Sequence, residues 1–414
     1  MPAASVFAAS NTSFTVVAVD GTPMAASSSV ADTRRFEFEQ IAMNNVETTE
    51  LFKTVTPDIP ASATGGFVNF VTKSAFDRQD ASVLSYDFNL VVPSTNLSFT
   101  KEAGVWGNSK EFVMRPNLDL NYARRINEKL GVNFNYRFSE RYDDSPRTEI
   151  TWVPEATMFT TPRLQQYNIR TEQKLTHREA FATKVDYHIS DETKFTVSGQ
   201  WNWYDLLFHQ RGPQIQLGTT TVNTRSGDAN NPVYSSTAPV VLNDVTYRNK
   251  YGTTWHFNST LSHEFANASK ASLTAYWSHA DGQYRDSNKG FVGTQSRLNT
   301  AGAVTRLDLT NTNTATVPVI SLYNGATPVS LDYLRSLSNY TLASGSTAQA
   351  RPWTTNETKT GLNGNYHDRS ADQESAHQGP GRFRTRQDRP RYHPHHLAQQ
   401  LHLHHRQCDH ALSR

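Results

Sequence analysis

The side chains in this sequence best suited to chemistry crowd into its last 49 residues. His393, His395, His396, His402, His404, His405, Cys408 and His410 all lie there. Imidazoles and a thiol are zinc-type ligands, but a folded metal site needs fixed geometry and an outer shell of partners. This stretch carries neither strand nor helix periodicity. Three readings stay open for it: an out-of-frame stretch, a native disordered tail, or a metal-binding tail. Read one nucleotide later, compatible codons from Tyr366 onward spell segments such as ITTDLPTKKAPIKVQVG. A change of frame near Asn365 is therefore expected, and the codons of the gene test it. Elsewhere, Asp143 with Asp144 and Asp191 with Glu192 form close acidic pairs in turn-like, solvated surroundings. Glu37 with Glu39 lies beside aromatics, yet nothing sets an acid opposite a base. No G-x-S-x-G, H-E-x-x-H or phosphate-binding loop occurs, and these motifs would be needed for the corresponding chemistry. No catalytic residue, cofactor site or metal site is expected, and an enzyme is the weakest reading.

The elements around these residues are strands. Only 36% of the 414 residues are apolar and mean hydropathy is −0.61, yet 11% are aromatic. Disordered chains lack aromatics, so a β-protein with one wet face fits better. A net charge of +2 gives no reason to expect nucleic acid. No apolar run approaches the ~20 residues of a membrane helix, which leaves membrane strands open because they alternate. A basic, then apolar leader is not visible at the start, and an outer-membrane protein needs one. A missing front is therefore expected.

Period-2 patterning runs through residues 81–365. Leu130, Val132, Phe134, Tyr136 and Phe138 share one face, following Leu118, Leu120 and Tyr122 across a short link. Phe181 to Ile189 and Phe195 to Trp203 form a second such pair about the turn Ser190–Thr193. Trp255 to Leu261 and Leu273 to Trp277 form a third, turning near Asn267. The polar stretches Gln210–Val245 and Asn288–Ala350 read as long loops. Short and long connections thus alternate, as in outer-membrane barrels with short periplasmic turns and long outer loops. Strands of ~10 residues are expected, with room for 8 to 12 of them. Trp201, Trp203, Tyr204, Trp255 and Trp277 sit where an interfacial girdle would lie.

The most specific local signal is NVETTELFKTVTPDIPASATGGFVNFVTK, Asn45 to Lys73, with VDGTP at Val19 to Pro23 upstream. A strand over Phe14–Asp20, a turn at Asp20-Gly21, a strand over Val46–Val55, a turn or helix start over Pro57–Ala63 and a strand over Phe67–Thr72 are expected. In this order the residues resemble the latter part of the plug domain of TonB-dependent outer-membrane receptors. With Arg35 to Phe38, Pro57 to Pro60 and Ser74 to Asp77, they look most like the large receptors of Xanthomonas and Caulobacter relatives, many linked to carbohydrate uptake. Thr49 and Phe52 stand where that family has Ile or Val.

The resemblance implies an all-β fold: a partial transmembrane antiparallel β-barrel with a small α+β plug remnant. It divides the chain into 1–80, the C-terminal part of a plug, 81–365, the first part of a barrel, and 366–414, an out-of-frame tail. It implies energised uptake of a scarce solute, carbohydrate first and chelated iron second, across the outer membrane of a Gram-negative cell. The partners implied are the TonB–ExbB–ExbD complex, outer-membrane lipid and the solute, and such a fragment is not expected to work alone. The plug-motif residues are Asp20, Gly21, Pro23, Glu47, Lys53, Pro57, Pro60, Gly65, Gly66, Asn69 and Lys73. Their expected role is structural or gating, with Gly65 and Gly66 supplying positive φ and Lys53 and Lys73 facing polar lumen groups. Ala25 to Ser29 reads as a plug loop toward the ligand. Trp152, Tyr204 and Tyr234 read as interface anchors or as platforms for a sugar. Two other readings remain: a passive porin-like barrel, and a secreted soluble β-protein that binds glycans.

Overall fold

A run of eight long strands with opposite chemistry on its two faces organises the chain. The computed structural model describes residues 15–27, 36–37, 41, 43–53, 59–60, 62–78, 80–94, 97, 99–105, 109–153, 163–218, 221–285, 294–298, 303–312, 319–342, 353–367 and 400–401. Residues 368–399 and 402–414 of the histidine-rich tail, Pro57, Glu39 and residues 28–29 lie outside these. In chain order the strands are β1 (Thr15–Val19), β2 (Thr22–Pro23), β3 (Val46–Phe52), β4 (Gly66–Thr72), β5 (Ser82–Val91), β6 (Lys101–Ala103), β7 (Lys110–Phe112), β8 (Arg115–Arg125), β9 (Leu130–Trp152), β10 (Leu164–His188), β11 (Thr193–Gln216), β12 (Asn223–Gly227), β13 (Pro232–Ser236), β14 (Val240–Glu264), β15 (Lys270–Arg285), β16 (Thr294–Leu298), β17 (Arg306–Thr310), β18 (Val319–Asn324), β19 (Thr327–Pro328), β20 (Tyr340–Leu342), β21 (Trp353–His367) and β22 (Gln400–Leu401). One α-helix, α1 (Leu331–Arg335), is present among the described residues. No described helix is long and apolar enough to cross a membrane. The fold is all-β.

The large sheet runs β21-β15-β14-β11-β10-β9-β8-β5, antiparallel throughout, with β22 on the outer side of β21. Its hairpin turns fall at 126–129, 189–192 and 265–269, where the alternation breaks off. Register puts the even-numbered residues of β9 on one face with the odd-numbered residues of β10, β11, β14 and β15. Phe134 pairs with Thr183, Val197 with Val185 and Ser259, and Leu261 with Leu273. The outer face is apolar and bare: Tyr86, Phe88, Val197, Phe257, Leu273 and Leu362 are each more than a third exposed. Trp201 lies against Trp255 at 6.0 Å, and Phe257 against Trp277 at 5.8 Å. The Phe257 ring also covers Gly199 of the paired strand, where a Cβ would meet it at 2.8 Å. The inner face is polar and buried: Asn133, Asn135, Asp186, Ser198, Gln200, Asn202, His256, Asn258 and Ser278 are all under a tenth exposed.

Four of these strands have 23 to 25 residues. At ~3.3 Å per residue such strands reach roughly 80 Å, whereas ~10 tilted residues cross a bilayer. This corrects the expected ten-residue strands and long polar loops. Gln210–Val245 and Asn288–Ala350 contain ends of β11 and β14 and a second sheet, β12-β13-β17-β18-β19. That sheet and α1 close over the far ends of β10, β11 and β14. Between them lies a core that includes Leu164, Ile215, Leu217, Tyr234, Val241, Leu307, Leu322 and Leu334. Ile215 and Val241 pair directly across β11 and β14. So Tyr234, expected as a loop platform, is 2% exposed inside this core, with the exposed Trp152 edge-on to it at 6.2 Å. Asp143 and Asp144, expected in a turn, lie within β9.

The small sheet runs β2-β1-β4-β3. β1 and β4 are parallel and central, and apolar on both faces as such strands must be. Val17, Val19, Met24, Val68 and Phe70 pack on one side; Ala18, Ile59, Ala63 and Phe67 pack on the other. β3 ends at Phe52 rather than Val55, with residues 54–58 not described. The part of this unit that is described contains no α-helix, only a 3-10 turn at Met43–Asn45.

Candidate functional site

The site is the seam where the small sheet meets the inner face of the large one. It starts at a two-residue turn. Asp20 and Gly21 take φ of +46° and +78° between the paired Val19 and Thr22, the combination of a tight type I′ hairpin that Asp-Gly favours. The turn puts the Asp20 carboxylate against β4, where it accepts from the Thr72 amide (2.8 Å) and the Thr72 hydroxyl (2.6 Å). Lys184 of β10 then reaches in from the wall. Its Nζ lies 3.4 Å from Asp20 Oδ2 and donates to Thr72 Oγ1 at 3.0 Å and the Thr72 carbonyl at 3.2 Å. Two residues on, Ser74 donates its hydroxyl to Asp186 at 2.6 Å. Asp186 also accepts from Thr196 and pairs with Lys194 at 3.0 Å. Phe76 completes this side, stacked on His188 at 4.3 Å and lying over Gly131, where a Cβ would meet its ring at 2.8 Å.

The opposite side of the seam is made by residues 22–27. Thr22 Oγ1 is 2.9 Å from His256 Nε2 and accepts from Asn258 at 3.3 Å. The Ala25 amide donates to Ser278 Oγ at 2.9 Å, and the Ala26 amide to Glu357 at 2.8 Å. Lys359 donates to the Met24 carbonyl at 2.7 Å, and Gln200 reaches Met24 Sδ. On the third side, Asn135 of β9 donates to Asn45 at 2.6 Å. Six successive wall strands thus touch the small sheet: β9, β10, β11, β14, β15 and β21. A four-stranded sheet is about 15 Å wide at ~4.8 Å per strand, so a wall that meets it from six strands must curve around it. Among the described residues the wall does not close on itself: β5 pairs with β8 alone.

The expected plug-motif residues take different places in the small sheet. Asp20, Gly21 and Asn69 form one cluster: Asn69 accepts from the Gly21 amide at 2.8 Å and donates to Glu50 at 2.8 Å. Pro23, Pro60 and Gly66 are buried within the small sheet. Gly66 takes φ +130°, and a Cβ there would meet the Phe52 carbonyl at 3.3 Å, so a glycine is needed at that position. Gly65, half-buried in the turn before it, does not take the positive φ expected of it, while Glu47 and Lys53 are exposed on β3 and its end. Lys73 points back into its own sheet, donating to the Asn44 carbonyl at 2.8 Å. Burial, then the Arg78 guanidinium, lowers its pKa from the ordinary lysine value. Asp119 of β8 acts on it in the opposite sense, so Lys73 also faces a polar group of the wall. Lys184 makes the reciprocal contact, from the wall to the small sheet. Ala25, expected in a loop toward the ligand, is buried against the wall.

The wall residues that make the seam carried no motif. Their one signal is position: each is a polar residue on the counter-face of an apolar alternation. Among the described residues, no group of three or more His, Cys, Asp or Glu is gathered as metal ligands. Arginine and aromatic side chains do gather on the inner face beyond the seam, where Arg248 lies over Phe208 (5.4 Å) and Tyr284 (5.2 Å). Tyr204, expected near a girdle, is on this inner face and 1% exposed.

No protein-family model and no curated protein matches the chain. Solved structures do resemble it across 86% of its length: the outer membrane transporter YddB from Escherichia coli, at 9% identity and a TM-score of 0.31, the ferric-catecholate import receptor Fiu of E. coli K12 in its closed form, at 11% and 0.29, and the siderophore receptor PirA from Acinetobacter baumannii, at 11% and 0.25. The chain covers 47%, 57% and 70% of those chains, so it spans about half the length of the first two. At this overlap the fold rests on the strand register and the two-faced polarity described above.

Proposed function

We propose that the chain is part of a TonB-dependent outer-membrane receptor. In this reading residues 1–80 contribute the later part of the plug, and 81–365 the first part of the barrel wall. One observation carries it: the large sheet is inside out for water. Its bare outer face is a band of aliphatic and aromatic side chains, and its buried face is polar and occupied by a small folded sheet. A soluble protein would expose a patch of this size at the risk of aggregation, whereas a membrane barrel needs lipid-facing apolar residues alternating with polar lumen residues. A passive porin-like barrel accounts for the outer face but not for the sheet docked inside. A glycan-binding soluble sandwich accounts for neither.

The intact receptor takes up a scarce solute, and the plug-motif resemblance favours a carbohydrate over chelated iron. Energy comes from contact with the TonB–ExbB–ExbD complex, and the seam at Asp20, Thr72 and Lys184 is what must yield when the plug moves. Binding and gating need no covalent chemistry. The membrane reading is tested by refolding the full chain into vesicles whose acyl chains carry bromine. Trp201, Trp255 and Trp277 on the outer face should be quenched strongly and Trp353 on the inner face weakly, as single-tryptophan variants read one at a time. Equal quenching on both faces, or none, rejects it.

A further inference from the structure

Between β5 and β8 the chain leaves the wall and folds into a separate hairpin, β6–β7, which neither the seam nor the second sheet uses. It stands on the side away from the short turns, because β5 ends at Val91, opposite Arg115 where β8 begins. The apolar outer face leads up to it. Along β5, Leu84, Tyr86, Phe88 and Leu90 share that face and are each more than half exposed. On β9 the same face runs through Phe134, Tyr136 and Phe138 before it turns polar at Glu140. The hairpin is fastened just past that point. Tyr142, next on the same face and 2% exposed, donates its hydroxyl to the Ala103 carbonyl at 2.6 Å. Arg115 pairs with Glu111 at 2.8 Å and with Glu140 at 3.4 Å.

Register sorts the hairpin's side chains. Lys101 pairs with Phe112 and Ala103 with Lys110 on one face, and Glu102 pairs with Glu111 on the other. The glutamate face is the one tied to the wall through Arg115. On the opposite face Lys101, Lys110 and Phe112 are exposed, and Lys101 Nζ stands 4.7 Å over the Phe112 ring. Among the described residues neither lysine is in an ion pair. Leu97 and Phe99, on the approach to β6, are 76% and 79% exposed.

We propose that β6–β7 is a clasp for the anionic phosphate headgroup of a lipid in the outer leaflet. The inference rests on the receptor reading and gives its membrane contact a place and a charge. The exposed apolar side chains continue the lipid-facing surface past Leu90, so acyl chains that cover β5 reach the base of the hairpin. Lysine stems lie along apolar surface while their ammonium groups reach out to the polar layer, and lysines at a membrane surface draw anionic headgroups. The acids that would oppose this are turned to the wall. A second copy of the chain is a poorer occupant, because a two-fold contact sets each patch against itself and brings the same lysines face to face.

The test uses the full chain with Cys408→Ser, which removes its one cysteine, refolded into vesicles of mixed phosphatidylcholine and phosphatidylglycerol. Leu97→Cys carries a fluorophore at the hairpin, and Val197→Cys carries it on the wall. A nitroxide high on the acyl chain is placed on one lipid at a time. Both lipids should quench the wall label equally. The hairpin label should be quenched by both, and roughly five-fold more by phosphatidylglycerol, the enrichment that a single surface lysine gives, with the excess shrinking as salt rises. Lys101→Gln with Lys110→Gln should abolish the excess, and Lys101→Arg with Lys110→Arg should keep it; both positions are exposed, so the fold tolerates either pair. Three outcomes overturn the proposal while the wall label is still quenched: equal quenching of the hairpin label by the two lipids, no quenching of it, or self-quenching between copies in its place. An excess that survives the glutamine pair overturns it as well. A wall label that no lipid quenches overturns the receptor reading itself, and this inference with it.

Discussion

Replacing Lys184 with methionine isolates an ion pair between the two sheets. Its side chain is 11% exposed and that of Asp20 18%. Breaking a fully buried pair from one side costs about 3–5 kcal/mol because a charge is left without its partner. Here Asp20 keeps both bonds from Thr72, and its carboxylate retains some contact with solvent, so the cost falls to about 2 kcal/mol, in line with a charge-assisted hydrogen bond. At 1.4 kcal/mol per factor of ten, the opening equilibrium of the small sheet should rise roughly 30-fold. Native-state hydrogen exchange read by mass spectrometry reports it. Amides of residues 15–23 and 66–72 should exchange about 30-fold faster, while those of β14 and β15 hold their rates. Asp20→Asn alone should also speed exchange, since it weakens the acceptor of Thr72. The double variant should fall short of the product of the two singles by about ten-fold, the coupling expected of residues in contact. If the effects multiply cleanly, or if Lys184→Met leaves the small sheet untouched, the ion pair is not what holds it to β10.

Two further outcomes follow from the faces of the wall. Val197→Arg puts a charge on the bare outer face and should destabilise the chain in vesicles by about 2–4 kcal/mol, while Thr358→Arg, on the outer face in the row of Trp201, Trp255 and His279 at the edge of the apolar band, should cost under about 1 kcal/mol. Urea titration of both in the same lipid checks this, and equal costs would count against the lipid face. His209 lies six residues past Trp203, outside the band, and is 2% exposed with its ring stacked on Tyr247 at 3.9 Å. Burial, then Arg211, lowers its pKa from 6.5 to about 4. The folded state therefore favours the neutral ring. Its contribution is complete above pH 6.5 and is lost as pH falls toward 4, by about 2 kcal/mol between pH 7 and pH 5. Unfolding at the two pH values should show that step in the native chain and lose it in His209→Phe.

The wall was legible in the sequence because each of its hairpins repeats one rule at every second position. Leu130 to Phe138, Phe181 to Ile189 and Phe195 to Trp203 are each on one face, as the alternation requires. The turns at Ser190–Thr193 and near Asn267 follow from where it stops. The outer sandwich was not legible. Its core takes one or two apolar residues from each of many short polar segments, such as Tyr234, Leu307 and Leu322, and no window of sequence holds enough of them to show a period. The seam was half visible. The Asp-Gly turn and Gly66 announce themselves through backbone conformations that other residues avoid. Lys184, His256, Ser278 and Glu357 are single polar residues whose meaning comes only from what the curved wall brings opposite them.

The Ala26 amide meets Glu357 across 331 residues of chain, and the Met24 carbonyl meets Lys359 across 335. Contacts this distant carry a large loop-closure cost before they return any stability, and folding slows as contacts become less local. The first strands made are therefore among the last to find their places. Until β21 is laid down beside β15, residues 22–27 lack two of their partners. The edge of the small sheet at residues 22–27 is thus completed by the strand of the wall that lies furthest from it along the chain.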